Sequence, residues 1–176
     1  SVHSARGLVA PNPSVFVAER SSLVVNNCTF RNNSGSFGGA IAVQETSSLS
    51  VFDSAFLGNS ATIRGGAIFS SQGCIVHIHR SNFQDNHALQ DNGGAILFDF
   101  LSIGTITASS FVNNWAASAG GGICVSTSSI ISMEDSNVTG NFAQGIGGGV
   151  GVYTSSKLVM KRSSVTRNTA QYGGGG

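Results

Sequence analysis

The chain has 176 residues, of which 10% are charged, and its formal net charge is +1. An ordinary soluble domain carries about 25% charged residues, and the charges here are scattered singly, which excludes a polybasic nucleic-acid-binding surface and an acidic tail. No apolar run approaches the roughly 18 residues of a transmembrane segment. The 24 glycines are typical of a disordered chain, but 40% hydrophobic residues predict a packed core instead.

The chain divides into a short first segment and a long repeated one. Residues 1–21 contain both prolines and are predicted to form an N-terminal cap or a partial coil. From residue 22 onwards, four columns recur about every 27 residues. The columns begin with Cys28, Phe30, Asn33 and Gly38, and the asparagine returns in all six copies. The members of the asparagine column are Asn33, Asn59, Asn86, Asn114, Asn141 and Asn168.

Within each unit, apolar and polar residues alternate with a period of two. The residues five and seven before the Phe30 column are mostly apolar, as are the residues that follow each glycine block. This pattern predicts two or three short strands per unit, separated by turns. Equivalent strands of successive units then pair in parallel, and equivalent side chains stack.

The predicted fold is therefore all-β: a right-handed parallel β-helix, or solenoid, of about six coils of about 27 residues over residues 22–176. Six coils at about 4.8 Å each make a rod about 29 Å long. We expect the asparagine amides to bond to one another or to the backbone. We expect the glycine blocks to allow a tight bend or a close approach of neighbouring coils.

Two motifs carry a resemblance to a known family. Residues 30–33 (FRNN) with 38–41 (GGAI), and their counterparts in the next two units, resemble the FxxN and GGAI repeats of chlamydial polymorphic outer-membrane proteins. They are also similar to autotransporter passenger domains and pectin-lyase-like β-helices. The later units depart from the motif, with GGGI at 120–123 and GGGV at 147–150. The resemblance implies a β-helix that is extracellular or on the cell surface, where such repeats serve adhesins, fibres and surface coats.

The charged residues do not indicate an active site. Assigned to their columns, no two carboxylates share adjacent rungs on one outer face, whereas carbohydrate-active β-helices need clustered carboxylates. Instead, opposite charges are predicted to stack: Asp53 beside Arg80, Asp135 beside Arg162, and Glu134 beside Lys161. We therefore predict a protein that is not an enzyme, with no catalytic residue.

Histidine and cysteine give no metal or cofactor site. His77 and His79 alternate on one outer strand face without a third ligand nearby. Cys28, Cys74 and Cys124 occupy three different columns, which matches neither a metal site nor an obvious disulfide framework. Cys28 is expected to be a small buried residue in the serine column. No cofactor and no metal are predicted.

Two kinds of surface site are predicted. Asn27, Asn32 and Asn137 begin N-x-S/T sequons and are expected to point outward, where they would be open to N-glycosylation in a secreted eukaryotic protein. Phe69 and Leu97 follow the inward isoleucine column by one residue, so they are expected on the outer face, and Phe52, Phe100 and Leu101 add to its apolar surface. A covering loop or N-terminal segment, a lateral contact with another chain, and a hydrophobic ligand groove are the alternatives.

The repeat continues to the last printed residues, which form a sixth glycine block, Gly173 to Gly176. This predicts that the β-helix continues or stacks on another subunit. The leading hypothesis is a non-enzymatic extracellular structural protein, a rod segment of a surface fibre or filament that self-associates end to end. The alternatives are a carbohydrate-binding or carbohydrate-active β-helix, and a cell-surface adhesin. Glycans are the alternative partner, and neither nucleic acid nor a transmembrane segment is expected.

Overall fold

The fold was determined as a computed structural model, which describes residues 13–175. In this part of the chain there are 24 strands, and all strand pairings are parallel. They form four six-stranded sheets, to which each coil contributes one strand. The all-β parallel β-helix of about six coils is confirmed. The residues that the structure describes contain no helix able to cross a membrane.

The strands are numbered in chain order and grouped by sheet. The first sheet contains β1 (Val15–Val17), β5 (Ile41–Val43), β9 (Ile68–Ser70), β13 (Ile96–Phe98), β17 (Ile123–Val125) and β21 (Val150–Val152). The second contains β2 (Ser22–Asn26), β6 (Ser48–Phe52), β10 (Ile75–His79), β14 (Ile103–Thr107), β18 (Ile130–Glu134) and β22 (Lys157–Lys161). The third contains β3 (Thr29–Arg31), β7 (Ala55–Leu57), β11 (Asn82–Gln84), β15 (Ser110–Val112), β19 (Asn137–Thr139) and β23 (Ser164–Thr166). The fourth contains β4 (Ser34–Phe37), β8 (Ser60–Arg64), β12 (His87–Ala88), β16 (Trp115–Ala116), β20 (Phe142–Ala143) and β24 (Thr169–Ala170).

Each coil has four strands, so the prediction of two or three per unit is wrong. Four strands fit because two of the turns bend the chain at a single residue with positive φ, as at Asn27 (52°) and Asn32 (54°) in the first coil. The first coil also begins earlier than residue 22, because β1 pairs with β5 in the first sheet. Residues 1–12 of the predicted N-terminal segment lie outside the described residues.

The main core lies between the sheets and is built from stacked columns. The rings of Phe30, Phe56, Phe83 and Phe111 stack nearly parallel, with centroids 4.8, 4.6 and 4.9 Å apart. Stacking at the strand spacing lets each ring bury both faces, and the three later rings are fully buried. The predicted inward columns of the central coils are confirmed.

The asparagine column is a continuous hydrogen-bonded ladder. Asn86 Nδ2 donates to Asn114 Oδ1 (2.9 Å) and to the carbonyl of Phe56 (3.0 Å), and the Asn86 backbone N–H donates to the same Asn114 Oδ1 (3.0 Å). The predicted bonding of amides to one another and to the backbone is confirmed. Each amide thus ties its own coil to both neighbours.

Two serine ladders run along the same axis, and the second is missed by the sequence prediction. In the first, Ser81 N–H donates to Ser109 Oγ (3.1 Å), and Ser81 Oγ donates to a carbonyl two residues earlier. The second repeats this bond, as from Ser102 N–H to Ser129 Oγ (3.1 Å). Its spacing of 26 to 28 residues was present in the sequence. The members of the second column are Ser21, Ser47, Cys74, Ser102, Ser129 and Ser156.

The glycine blocks serve both purposes predicted for them. The first glycine of a block has positive φ, as at Gly93 (72°), so it makes the tight bend. The second lies against the next coil: a Cβ on Gly94 would stand 2.0 Å from the carbonyl oxygen of Gly121. Any larger residue there would push neighbouring coils apart.

A second, smaller core lies on the other face of the first sheet. Phe69 and Leu97 are 4% and 1% exposed, and they pack in one cluster with the buried Ala42 and Cys124. The covering segment is the end of the fourth-sheet strand together with the glycine turn to the first sheet. Phe37, at the end of β4, packs on Phe69 with ring centroids 5.1 Å apart, and the turns at Gly65 and Gly120 lie against the same face. Tyr153, which follows β21, also packs on the cluster. Phe69 and Leu97 thus lie on the outer face of the sheet as expected, but they are covered, so the alternative of a lateral contact through these two residues is wrong. Of the three alternatives for this face, a covering segment is the one that the structure shows.

Candidate functional site

Two of the three predicted charge pairs are confirmed. Arg80 binds Asp53 in bidentate fashion (Nε–Oδ1 2.6 Å, Nη2–Oδ2 2.7 Å), and Arg162 Nε binds Asp135 Oδ1 at 2.8 Å. The hydrogen bonds from these guanidinium groups hold the pKa of both carboxyl groups below the usual range. Both pairs lie at exposed turns between the second and third sheets, where they fasten one coil to the next.

The third pair differs from the prediction. Glu134 and Lys161 are partners in register, but the carboxylate of Glu134 binds the guanidinium of Arg162 instead. Arg162 therefore holds two carboxylates of the preceding coil, and these bonds raise its own pKa. A planar guanidinium with several donors can serve both oxygen ligands at once, which an ammonium cannot do in the same geometry.

A buried polar cluster was not expected from the sequence. Arg64 Nε contacts Asp91 Oδ2 at 2.6 Å, and Arg64 Nη1 contacts Asp99 Oδ2 at 3.5 Å. Asp99 is 6% exposed and also accepts hydrogen bonds from Ser126 Oγ (2.8 Å) and from the backbone N–H of Phe100 (3.0 Å). The assignment of carboxylates to columns on the outer faces did not predict that Asp91 and the buried Asp99 share one guanidinium.

This cluster joins the covering segment to the residues that follow β13. Both carboxylates bind the same guanidinium, and the inner one is also bonded to a hydroxyl and a backbone amide. A buried carboxylate with this many donors is compensated for its loss of water. Next to it, Tyr153 Oη lies 3.2 Å from Cys124 Sγ, and burial raises the pKa of the Cys124 thiol to about 12.

The described histidines and cysteines do not cluster with one another. His77 Nδ1 lies 2.8 Å from Thr105 Oγ1, and His79 Nδ1 lies 2.7 Å from Thr107 Oγ1, so each imidazole bonds to the next coil. Within residues 13–175 no group of three or more metal-ligating side chains comes together. The three cysteines are free thiols.

Cys28 differs from its prediction, because it is exposed rather than buried. It stands at the serine position of the first coil, and its Sγ lies 3.2 Å from the carbonyl of Asn26. Cys74 is buried at the matching position of the second serine ladder, where burial raises its thiol pKa. Both cysteines thus replace a ladder serine.

The sequon asparagines all lie on the surface. Asn27 and Asn32 are exposed at one-residue turns, and Asn137 is exposed at the start of β19, where it accepts a hydrogen bond from Ser164 Oγ (2.8 Å). The side chains are accessible as expected, and their glycosylation stays a prediction. Phe52, the third residue of the predicted lateral interface, is half-buried on the second sheet, where its ring and that of His79 lie 6.5 Å apart at an interplanar angle of 67°.

The last coil presents the most open apolar surface along the axis. Val152 and Met160, which belong to inward columns, are 42% and 36% exposed. The corresponding Val17 and Val25 of the first coil are only 6% and 4% exposed. Among residues 13–175, strands β21 to β24 are the outer strands of the four sheets at this end, as β1 to β4 are at the other.

An aromatic column lies outward on the fourth sheet. His87, Trp115 and Phe142 are direct partners in the strand register and are half-buried, and the rings of His87 and Trp115 lie 6.3 Å apart. The inward neighbours of all three are fully buried alanines. The column therefore forms a narrow ridge of rings along the rod.

Comparison with known proteins supports the repeat. Residues 27–44, 53–71 and 108–126 match the family model described as Chlamydia polymorphic membrane protein (Chlamydia_PMP) repeat. Each match contains an asparagine of the ladder and the glycine turn that follows it. No curated protein and no solved structure matches the chain. The resemblance expected from the sequence is confirmed: the chain carries repeats of this kind, wound into a parallel β-helix.

Proposed function

We propose that this chain is a structural segment of a rod at the cell surface or the outer membrane, and that its last coil stacks on another β-helical coil. The observation that carries the proposal is the set of columns along the axis, in which each coil bonds to its neighbours through the same side-chain and backbone groups. In the sixth coil, Val152 and Met160 of the inward columns are 42% and 36% exposed, so another coil can pack on them.

The interior supports a structural role. The phenylalanine stack, the asparagine ladder and two serine ladders all run along the axis, and each coil supplies the acceptors that the neighbouring coil needs. The stability of such a rod grows with each added coil, because every interface is made between nearest neighbours. Another coil of the same cross-section would continue all four columns.

The location rests on the family match. The matched repeat is described as belonging to a membrane protein of Chlamydia, which supports the outer membrane or the cell surface. An extracellular fibre and an adhesin are finer versions of the same proposal.

A non-enzymatic role is part of the proposal. The carboxylates that come together are held by arginine: Asp91 and Asp99 by Arg64, and Glu134 and Asp135 by Arg162. Acid–base catalysis on a glycan needs two carboxyl groups in different protonation states facing the substrate. Lyase and hydrolase assays with Ca²⁺ on plant and bacterial polysaccharides test this, and turnover that disappears in Asp99→Asn would overturn it.

The end-to-end contact is tested by the mass of the protein in solution. Light scattering and electron microscopy over a range of concentrations should show linear particles whose length increases with concentration. Val152→Lys with Met160→Lys places charge on the axial face and should abolish them. Ser132→Lys, on the side of the rod, is the matched control and should leave them intact. A monomer at all concentrations, or assembly of the double variant, would contradict the proposal.

A second candidate function is glycan binding at the aromatic column of the fourth sheet. Aromatic rings stack on the apolar faces of sugars, and rings one strand apart would contact successive sugars along the rod. Trp115 is the only tryptophan, so its fluorescence reports binding directly. Glycan-array binding should be lost in Trp115→Ala and kept in Phe52→Ala; the absence of any binding glycan, or equal binding by the two variants, counts against this function.

A further inference from the structure

A stripe of exposed apolar residues runs along the side of the rod, distinct from its open end. We define the lateral stripe as Ile75, Ile103 and Ile130 with Phe100 and Leu101. Their exposed fractions are 45%, 53%, 52%, 55% and 59% in that order. The three isoleucines are direct register partners at the first position of β10, β14 and β18, and the other two form the turn just before β14.

The residues of this turn are unfavourable both for the backbone and for solvation. Phe100 and Leu101 have φ of 47° and 62°, a conformation that costs a bulky residue about 1–2 kcal/mol. The equivalent turns hold Thr127–Ser128 in the next coil and Glu45–Thr46 in the second coil, which are polar. Two large apolar side chains therefore project into solvent at a position where other coils use polar ones.

The size of the stripe suits a weak interface between proteins. Five large side chains exposed by about half present about 400–500 Å² of apolar surface, which is in the upper range for a monomer. Two such stripes face to face would bury about 800–1,000 Å² in total, which falls in the range of weak, specific contacts. A second copy brings an equal stripe of the same length.

The charges around the stripe favour one orientation of that second copy. The stripe contains no charged residue, but its column continues to Lys157 in the last coil. If a two-fold axis passes through Ile103, Ile75 of one copy faces Ile130 of the other. The same axis brings Lys157 to the second coil of the other copy, where Glu45 lies exposed in the turn before β6. The two copies would thus exchange two Lys157–Glu45 pairs.

The opposite orientation lacks this complementarity. Two rods side by side and parallel would place the last coils next to each other, and each carries Lys157 and Lys161 on β22, with no acidic residue between 153 and 176. Like charges at that distance repel and disfavour the contact. An antiparallel pair avoids this repulsion and is closed, because the same surface is used on both copies.

We infer that the lateral stripe is a self-association surface through which two copies of this chain pair side by side and antiparallel. The inference goes beyond the proposed end-to-end stacking and uses a different face. The two modes differ in mass: lateral pairing gives a closed dimer, whereas axial stacking gives a series of increasing masses. Analytical ultracentrifugation over concentrations from micromolar to millimolar separates them.

The stripe itself is tested by two substitutions. Ile103→Lys places a charge at the centre of the contact and should weaken the dimer at least tenfold. Leu101→Asn should also weaken it several-fold, yet raise the melting temperature, because asparagine tolerates positive φ better than leucine. Val24→Lys, on the second sheet but outside the stripe (67% exposed), is the control and should pair like the original chain. A chain that stays monomeric at millimolar concentration, or an Ile103→Lys variant that pairs normally, would overturn the inference.

The orientation is tested by exchanging charges. Lys157→Glu and Glu45→Lys should each weaken the dimer about two- to fivefold, since exposed ion pairs contribute modestly. The two changes combined should restore the original affinity, because the pairs are remade with opposite sign. A combined variant that pairs no better than the single variants refutes the antiparallel arrangement.

Discussion

Removing a single amide from the middle of the asparagine ladder should destabilise the whole rod. Asn114 is fully buried, and its side chain takes part in four hydrogen bonds. Its Nδ2 donates to Asn141 Oδ1 (2.8 Å) and to the carbonyl of Phe83 (3.0 Å). Its Oδ1 accepts from the backbone N–H (3.0 Å) and the Nδ2 (2.9 Å) of Asn86.

The expected cost follows from the groups that lose their partner. In Asn114→Ala, two donors of Asn86 lose their acceptor inside the protein, and one carbonyl loses a donor. A buried group without a partner costs about 1–3 kcal/mol. We therefore expect the free energy of unfolding to fall by about 3–6 kcal/mol, which is large for a single substitution.

The matched control is the first rung of the same ladder. Asn33 is half-buried, and its Nδ2 donates to Asn59 Oδ1 (2.9 Å), an oxygen that also accepts from the backbone N–H of Asn33 (3.1 Å). Asn33→Ala leaves that backbone bond in place, so the expected loss is below about 1 kcal/mol.

The assay is urea denaturation of both variants and the original chain. Far-UV circular dichroism follows all coils, and the fluorescence of Trp115 follows the central ones. Coincident transitions are needed because repeat proteins can unfold in parts. If Asn114→Ala unfolds within about 1 kcal/mol of Asn33→Ala, the ladder does not hold the coils together as argued.

Three further predictions test the backbone, the thiols and the charges. Gly94→Ala should lower the melting temperature strongly or prevent folding, because the added Cβ would stand 2.0 Å from a carbonyl oxygen of the next coil. Gly173→Ala is the control and should leave the melting temperature unchanged, because its Cβ meets nothing within 4 Å. Equal effects of the two substitutions would be inconsistent with the close approach of the coils. At pH 8, alkylation of the folded chain should modify the exposed Cys28 and spare the buried Cys124, because burial raises the pKa of the Cys124 thiol to about 12. Mass spectrometry of the labelled protein measures both reactions, and equal rates at the two cysteines would contradict the prediction. The carboxyl group of Asp53 should titrate by NMR below its ordinary pKa of about 3.9, because the guanidinium one coil away stabilises the charged form. Its stabilising effect is present above that ordinary value and is lost as the pH falls through the depressed pKa, and an unshifted midpoint would rule the pair out in solution.

The contacts along the axis could be predicted from the sequence because of the geometry of a solenoid. Residues one period apart become neighbours, so Asn86 and Asn114 were placed together by their spacing alone, as were Asp53 and Arg80. The second serine ladder carries the same signal and was missed only because its members do not adjoin the FxxN motif.

The contacts across the coil could not be predicted in this way. Period-two alternation assigned Phe69 and Leu97 to the outer face, but alternation says only which side of a strand a residue occupies. It does not say whether another segment covers that side. The contacts of Asp91 and Asp99 with Arg64 could not be predicted for the same reason, because they depend on the path of the covering segment.

The sequence by itself determined the number of coils, the parallel pairing and the columns that fill the core, because each of these repeats every 26 to 28 residues. The tertiary structure decided the shape of the cross-section: four strands per coil, and a covering segment that makes a second core. It thereby decided which apolar residues remain outside, at the lateral stripe and at the open end. The physical reason is that a repeat encodes contacts between coils through its period, whereas contacts within a coil depend on where the chain turns, and each turn is set by the backbone angle of one or two residues.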